Sequence, residues 1–423
     1  MRRTKILATL GPATTEESSL RRLLEAGADA VRLNFSHGSA KDHEEVFRRV
    51  RAAAERLGRS VPIVQDIQGP KIRIGKLPKE GVPLSGGQEV RFRVGEEWRE
   101  PGVLPITYAH LAEDVKAGDR ILMDDGYLSA RVVEVEDRET VRAVVEDGGT
   151  LKSGKGVNFP GVRLSIRFPT PKDKLDLQVG QRLGVDYVAV SFVRSAADIA
   201  RVQAEMDEDV GTRLIAKVEL REAVDNLDEI VRASDGVMVA RGDLGVELPP
   251  EEVPLVQKDI LLRCDLLGVP SITATQMLES MIENPRPTRA EVTDVHNAVL
   301  DGTGAVMLSA ETAVGKHAHA AVATMARIIG RAESVLLRPQ GIEERRHAVT
   351  GPEVSDVVAH GAARAAEEMG AAAILALTHH GLTARVLSKY KPRVPIYAAT
   401  SRDGTFHRLG LLWGVTPLLT PFR

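Results

Sequence analysis

The chain is 423 residues long and carries 56 Lys and Arg against 59 Asp and Glu, a formal net charge of -3. At about 150 residues per domain, that length accommodates three domains, or two if one is a large barrel. The charge balance argues against a nucleic-acid or anionic-membrane partner, and an aromatic content of 4% argues against a base-stacking platform while suiting an aliphatic α/β core.

The opening MRRTKILATLGP lacks the apolar stretch of a secretory leader, and no run of about 18 apolar residues occurs anywhere, so the expected setting is the cytoplasm. Short β-branched runs then alternate with amphipathic stretches. The pattern predicts strands over Thr4–Leu10, Ala30–Phe35 and Val61–Ile67, with a helix capped around Thr15-Glu16-Glu17-Ser18 that ends at Gly27. From Lys71 to Thr170 the character changes: QEVRFRV alternates apolar and charged, and SARVVEVEDRETVRAVVEDGG reads as a hairpin around an acidic turn. Residues 71–170 therefore read as an inserted all-β domain. Within it, GTLKSGK at 149–155 approaches a Walker A loop, but Gly156 stands where Ser or Thr is required and VNFPG cannot open a helix. The P-loop reading is rejected, although Lys155 remains available to a phosphate.

Strands resume at Tyr187–Val193, Arg213–Glu219, Gly236–Ala240, Ser271–Met277 and Ala305–Ser309, completing eight β/α units. Cys264, the one cysteine, lies in the apolar DILLRCDLLG and reads as a packed small hydrophobe. Met277 and Met281 in QMLESMIE are helix-spaced and read as core. Residues 1–70 and 171–340 together make 240 residues, near the roughly 250 of a (β/α)8 TIM barrel. After the charged connector GIEERRHAVTGP, the βα alternation resumes, so 341–423 reads as a small C-terminal α/β domain.

In such a barrel, chemistry sits at the C-terminal ends of the strands. Strand two ends with Arg32, Asn34 and Ser36 on one face, followed by His37, and strand three ends in Asp66. Ser191 follows on strand four, Lys217 and Glu219 on strand five, Arg241-Gly242-Asp243 on strand six, Thr275 on strand seven, and Ser309 with Glu311 on strand eight. Any single rim charge reads first as part of an ion-pair network, and Lys217 with Glu219 as a plain salt bridge. As a set they are costly to bury without a ligand. Glu219 and Asp243 offer two hard oxygen ligands of the kind Mg2+ accepts, with Lys217 placed to neutralise a phosphoryl group in flight.

The strings TKILATLGPAT, RLNFSHG, DIQGPKIR, SGKGVNFPG, MVARGDLGVELP, ATQMLESMIENPRPTRAEVTDVHNAVLDG and AVMLSAETA occur in order and resemble the pyruvate kinase family. The resemblance implies phosphoryl transfer from phosphoenolpyruvate to ADP, with a barrel, a lid inserted after strand three and a C-terminal α/β domain. It implies Mg2+ or Mn2+ on Glu219 and Asp243, and Lys217 and Arg32 on the phosphoryl group. It further implies that Gly242, Asp243, Thr275 and Ser191 bind substrate, that His37, Arg73 and Lys155 contact nucleotide, and that Thr275, Ser309 and Glu311 relay a proton. A homotetramer is implied as well. A lyase or aldolase acting on an enolpyruvate is the rival enzyme reading, and a catalytically silent binding protein the rival of another class; the lid with Lys155 and the retained Lys217, Glu219 and Asp243 argue against them.

Two departures carry further expectations. Family members that use potassium hold it through positions matching Asn34, Ser36, Asp66 and the backbone of Ile67, and carry glutamate where this chain has Lys71. A lysine there resembles the potassium-independent branch, with its ammonium as an internal cation. The sequence Thr378-His379-His380-Gly381-Leu382-Thr383 keeps only part of the family's effector-phosphate loop. The chain also reads as shortened at its C-terminal end relative to the family, which puts sugar-phosphate control in doubt.

Overall fold

The computed structural model describes residues 2–207, 211–336 and 353–421. Three short strands, β1 (Lys5–Thr9), β2 (Ala30–Asn34) and β3 (Ile63–Asp66), lead off. Eight more form the insertion: β4 (Val82–Leu84), β5 (Glu89–Val94), β6 (Val103–Ile106), β7 (Arg120–Met123), β8 (Leu128–Val135), β9 (Thr140–Asp147), β10 (Gly149–Leu151) and β11 (Val157–Asn158). The chain then returns with β12 (Tyr187–Val190), β13 (Arg213–Val218), β14 (Gly236–Ala240), β15 (Ser271–Ala274) and β16 (Ala305–Leu308). β1 to β3 and β12 to β16 close into a parallel eight-stranded barrel in the order β1-β16-β15-β14-β13-β12-β3-β2, so β3 pairs with β12 across the whole insertion.

Period-two alternation explains why runs such as KILAT close a barrel. Leu7, Val64, Ile215, Met238, Ile272 and Met307 fill its interior, while Ile6, Val31, Ile63, Val188 and Val237 pack outward on the helix ring. β14 ends where predicted, and the other seven barrel strands stop one to three residues short of the predicted ends. Phe192 (φ 57°), Thr275 (φ 67°) and Gln276 (φ 53°) turn the chain out of the ladder, which delivers their polar neighbours to the rim. That turn also corrects the expected helix in QMLESMIE: residues 275–278 bend and only Glu279–Ile282 forms a 3-10 turn, although Met277 and Met281 are core as expected. The first helix, Glu17–Glu25, begins at an N-cap Glu16 with no side-chain cap bond, so the expected cap at Thr15 is absent.

The insertion is a six-stranded sheet, β11-β7-β8-β9-β5-β6, beside the pair β10–β4, around its own core of Phe92, Leu104, Ile106 and Val141. It includes one helical turn, Leu111–Asp114, which the all-β expectation lacked. No helix follows GTLKSGK, in keeping with the rejected P-loop: β10, a turn and β11 occupy that stretch. β17 (Ile374–Leu377), β18 (Ile396–Thr400) and β19 (Val415–Leu419) form a parallel three-stranded C-terminal sheet with helices Val354–Glu368, Leu382–Lys389 and Asp403–Leu409. This unit plugs the barrel's N-terminal end. Leu411 joins the barrel-interior cluster, and Lys5 Nζ donates to the Val415 carbonyl at 2.8 Å. The connector 341–352 and the expected boundary at 340/341 lie outside the described residues. Among the described residues, no helix is long and apolar enough to cross a membrane.

Candidate active site

The centre of the rim is Lys217, delivered by β13 with 11% of its side chain exposed. Its ammonium reaches Ser191 Oγ at 2.7 Å, Glu219 Oε1 at 2.8 Å and Asp66 Oδ1 at 3.2 Å. Burial alone would push the lysine pKa down, but Asp66 and Glu219 outweigh it and hold the group firmly charged. Asp66 is the hub on the anionic side. It accepts Arg32 Nε at 2.6 Å as well as Lys217, and these two cations overcome its burial to keep its carboxyl below the usual carboxylate range. Ser191 donates to the Ile67 carbonyl at 2.7 Å, and Arg32 reaches Thr9 Oγ1 at 3.2 Å. Glu219 is 1% exposed and accepts the Phe192 N–H at 2.6 Å. Burial, helped by the charge of Asp243 and opposed by Lys217, pushes its carboxyl up to about 7.

Asp243 arrives in the first turn of the helix Arg241–Glu247, directly after β14, and is only half-buried. Beside it the Gly242 N–H donates to Thr275 Oγ1 at 2.8 Å, so these two expected substrate contacts stand together. Arg241 braces this corner, donating to the carbonyls of Ala274 and Thr275 and pairing with Asp294 at 2.7 Å. Glu311 differs from the other two carboxylates. Its oxygens accept backbone N–H groups of Leu278 and Ser309 at 3.0 and 2.6 Å, tying the ends of β15 and β16 together, while burial raises its pKa. Ser309 Oγ is buried with no hydrogen-bond partner. Among the described residues no three His, Cys, Asp or Glu side chains converge as a metal site, so a divalent ion would have Glu219 and Asp243 as its carboxylates and would fill its remaining positions from substrate and water.

The donor set suits such an ion: a buried carboxylate pushed up to about 7 beside a second carboxylate is short of positive charge even with Lys217 attached. Lys71 also bears on this corner, its Nζ 3.9 Å from Asp243 Oδ1. It thus pairs with Asp243, whereas among the expected monovalent-ion ligands Asp66 is held by Arg32 and Lys217, Ile67 by Ser191, and Asn34 Oδ1 by the Ser36 N–H at 3.1 Å. In the lid, Arg73 pairs by backbone with Gly156 and donates to the Gly154 carbonyl at 2.8 Å, and Lys155 pairs with Asp124 at 2.6 Å. His37 lies exposed in the loop after β2. Between lid and rim runs a cleft lined by Lys71, Phe159, Phe192 and Asp243.

A family model for the pyruvate kinase barrel domain matches residues 1–322, and one for the pyruvate kinase alpha/beta domain matches 356–422. The chain belongs to the pyruvate kinase family. It is 46% identical over 422 residues to pyruvate kinase 2 of Synechocystis sp., covering 99% of this chain and 71% of that one. Against the pyruvate kinase of Geobacillus stearothermophilus it is 44% identical, covering 98% of this chain and 71% of the relative. For the pyruvate kinase of Corynebacterium glutamicum the values are 46%, 99% and 87%. Sequence reasoning named most rim residues of this pyruvate kinase family member but missed Asp124 and Phe192 and assigned no role to Arg241. A lysine offered to a phosphate calls for a carboxylate in reach. A bulky residue directly after a strand-end serine marks the turn that aims a backbone N–H at Glu219.

Proposed function

We propose that this chain is a kinase that transfers the phosphoryl group of phosphoenolpyruvate to ADP, with Mg2+ or Mn2+ held by Glu219 and Asp243. The single observation that carries the reading is Lys217, buried yet fixed in its charged form between Asp66 and Glu219 at the rim. Such an ammonium, with no freedom to reorganise, stabilises charge on the three oxygens of a phosphoryl group in a loose transition state. Arg32, itself oriented by Asp66, clamps the same group. When bound, the divalent ion supplies further neutralisation of the phosphates.

The substrate carboxylate takes the place that Thr275 Oγ1 now holds on the Gly242 N–H, while Ser191 keeps Lys217 aligned. The bond from phosphorus to the enol oxygen breaks as the terminal ADP oxygen bonds to phosphorus. Enolpyruvate then takes a proton at its methylene carbon, relayed past Thr275, Ser309 and Glu311. The unpartnered Ser309 hydroxyl and the raised pKa of Glu311 support that relay. Arg73 and Lys155 on the lid and His37 on the barrel hold the nucleotide from two sides.

Independence of potassium belongs to this reading, with Lys71 supplying a fixed positive charge beside Asp243. So do the three-part division at 1–70 with 171–340, 71–170 and 341–423, a cytoplasmic setting, and assembly as a homotetramer. Coupled assay of pyruvate formation from phosphoenolpyruvate, ADP and Mg2+ tests the whole. Turnover is expected without potassium, rising less than about twofold when potassium is added, because Lys71 already supplies a cation there; Lys217→Met is expected to lose ~10²–10³ in kcat. No turnover in the parent, or an unaffected mutant, would end the reading.

A further inference from the structure

His43 belongs to no part of the site described so far, yet it is built into the loop that carries His37. It lies in the first turn of the helix Ala40–Arg56, whose N-terminus is fixed by a reciprocal Ser39–Asp42 capping box. Its imidazole stacks flat on Phe35, with centroids 3.9 Å apart and planes 8° from parallel. Phe35 is itself buried, and its carbonyl accepts Lys172 Nζ at 2.7 Å, so the stacking surface is rigid. From that perch His43 Nε2 reaches the His37 carbonyl at 2.8 Å. A carbonyl only accepts, so Nε2 carries the proton and donates. On its other side, the His37 N–H donates to the Asn34 carbonyl at 3.2 Å. The backbone at His37 is therefore held at both ends, and Gly38 (φ 78°) turns the chain immediately beneath the imidazole, 3.5 Å from Nε2 at the place a Cβ would take.

We propose that His43 is a positioning residue for the nucleotide, acting by holding the His37 carbonyl so that the His37 side chain is presented at a fixed place on the rim. The proposal rests on the reading of His37 as a nucleotide contact. Asp42, Asp176 and Lys172 are the charged groups around the ring, and none of them takes the Nε2 donor away from the His37 carbonyl. Loss of this donor frees a loop rather than a reacting group, so its cost falls on ADP binding and not on the chemical step.

The test compares full-length variants by steady-state kinetics in each substrate. His43→Phe keeps an aromatic ring on Phe35 but removes the donor, and it is expected to raise KM for ADP about tenfold while kcat and KM for phosphoenolpyruvate stay within twofold. His43→Gln restores a side-chain N–H donor and is expected to return KM for ADP to within about threefold of the parent. The double variant His37→Ala, His43→Phe should bind ADP no more weakly than His37→Ala alone, because the two residues act as one unit. An unchanged KM for ADP in His43→Phe, or a common loss of kcat and thermal stability that glutamine does not rescue, overturns the positioning role. An unchanged KM for ADP in His37→Ala instead overturns the underlying reading of His37 and the proposal with it.

Discussion

Lys217 and Glu219 are two residues apart on one strand face, and their pairing at 2.8 Å satisfies both the plain salt-bridge reading and the catalytic one. The difference lies in what surrounds the pair. A structural pair needs one partner each, whereas here Asp66 engages two cations and Glu219 is still pushed up to about 7. Removing one partner of a buried pair typically costs ~3–5 kcal/mol when it strands the other charge. Lys217→Met strands Glu219, whose carboxyl can escape by taking a proton. In the parent its folded-state pKa, raised above the unfolded value, destabilises the fold as pH climbs from the ordinary carboxylate range to about 7 and no further; without Lys217 the pKa rises again and the penalty keeps growing above 7. In the absence of divalent ions, the Tm deficit of Lys217→Met relative to the parent is expected to be larger at pH 8 than at pH 6. Equal deficits would show that Glu219 finds another cation. Asp66 behaves oppositely: its depressed pKa contributes stability at neutral pH that is lost as pH falls below the ordinary carboxylate range.

Elements explain why some of these residues were legible in the sequence and others were not. The barrel strands could be read because period-two burial and polar closing residues are local signals, and Lys217, Glu219, Asp243 and Thr275 followed from them. The exact strand ends could not, since they depend on left-handed backbone at Phe192 and Thr275, which nothing in an apolar run announces. The partners of Asp66 and the destination of Lys71 were equally hidden, because each is a contact between residues far apart in the chain. Close backbone approach is hidden in the same way. A Cβ on Gly315 would sit 2.3 Å from the Glu311 carbonyl oxygen, so Gly315→Ala must shift the short helix Ala310–Ala313 that carries Glu311. The expected outcome is a loss of ~1–3 kcal/mol in stability, read by chemical denaturation, with kcat falling as the relay is displaced. The lid has a core separate from that of the barrel, centred on fully buried Phe92. Phe92→Ala is therefore expected to cost ~3–5 kcal/mol within the lid alone, seen as loss of hydrogen-exchange protection in β5, β8 and β9 while β12 to β16 stay protected.

On the scale of the whole molecule, the C-terminal unit is fastened to the barrel floor by contacts that are partly titratable. His407 is largely buried against Arg51, Asp186 and Asp403; burial and then Arg51 depress its pKa below the ordinary 6.5, with Asp186 and Asp403 opposing. The unfolded chain thus binds this proton more tightly, so stability is lost as pH falls below about 6.5. Between pH 7.5 and 5.5 the Tm is expected to drop, and His407→Gln should recover ~2 °C of that drop, since about 1 kcal/mol moves Tm by roughly 2–4 °C. A slope unchanged by the mutation would assign the acid sensitivity elsewhere. The lid leaves the barrel after β3 and returns before β12, two strands that must pair for the barrel to close. That junction spans roughly four times the chain of an ordinary β/α unit, and loop-closure entropy grows only about 0.6 kcal/mol per doubling. The thermodynamic burden is slight, but the search is long. Because the lid packs on a core of its own, it holds the ends of β3 and β12 within reach of each other and serves the barrel as a splint across that seam.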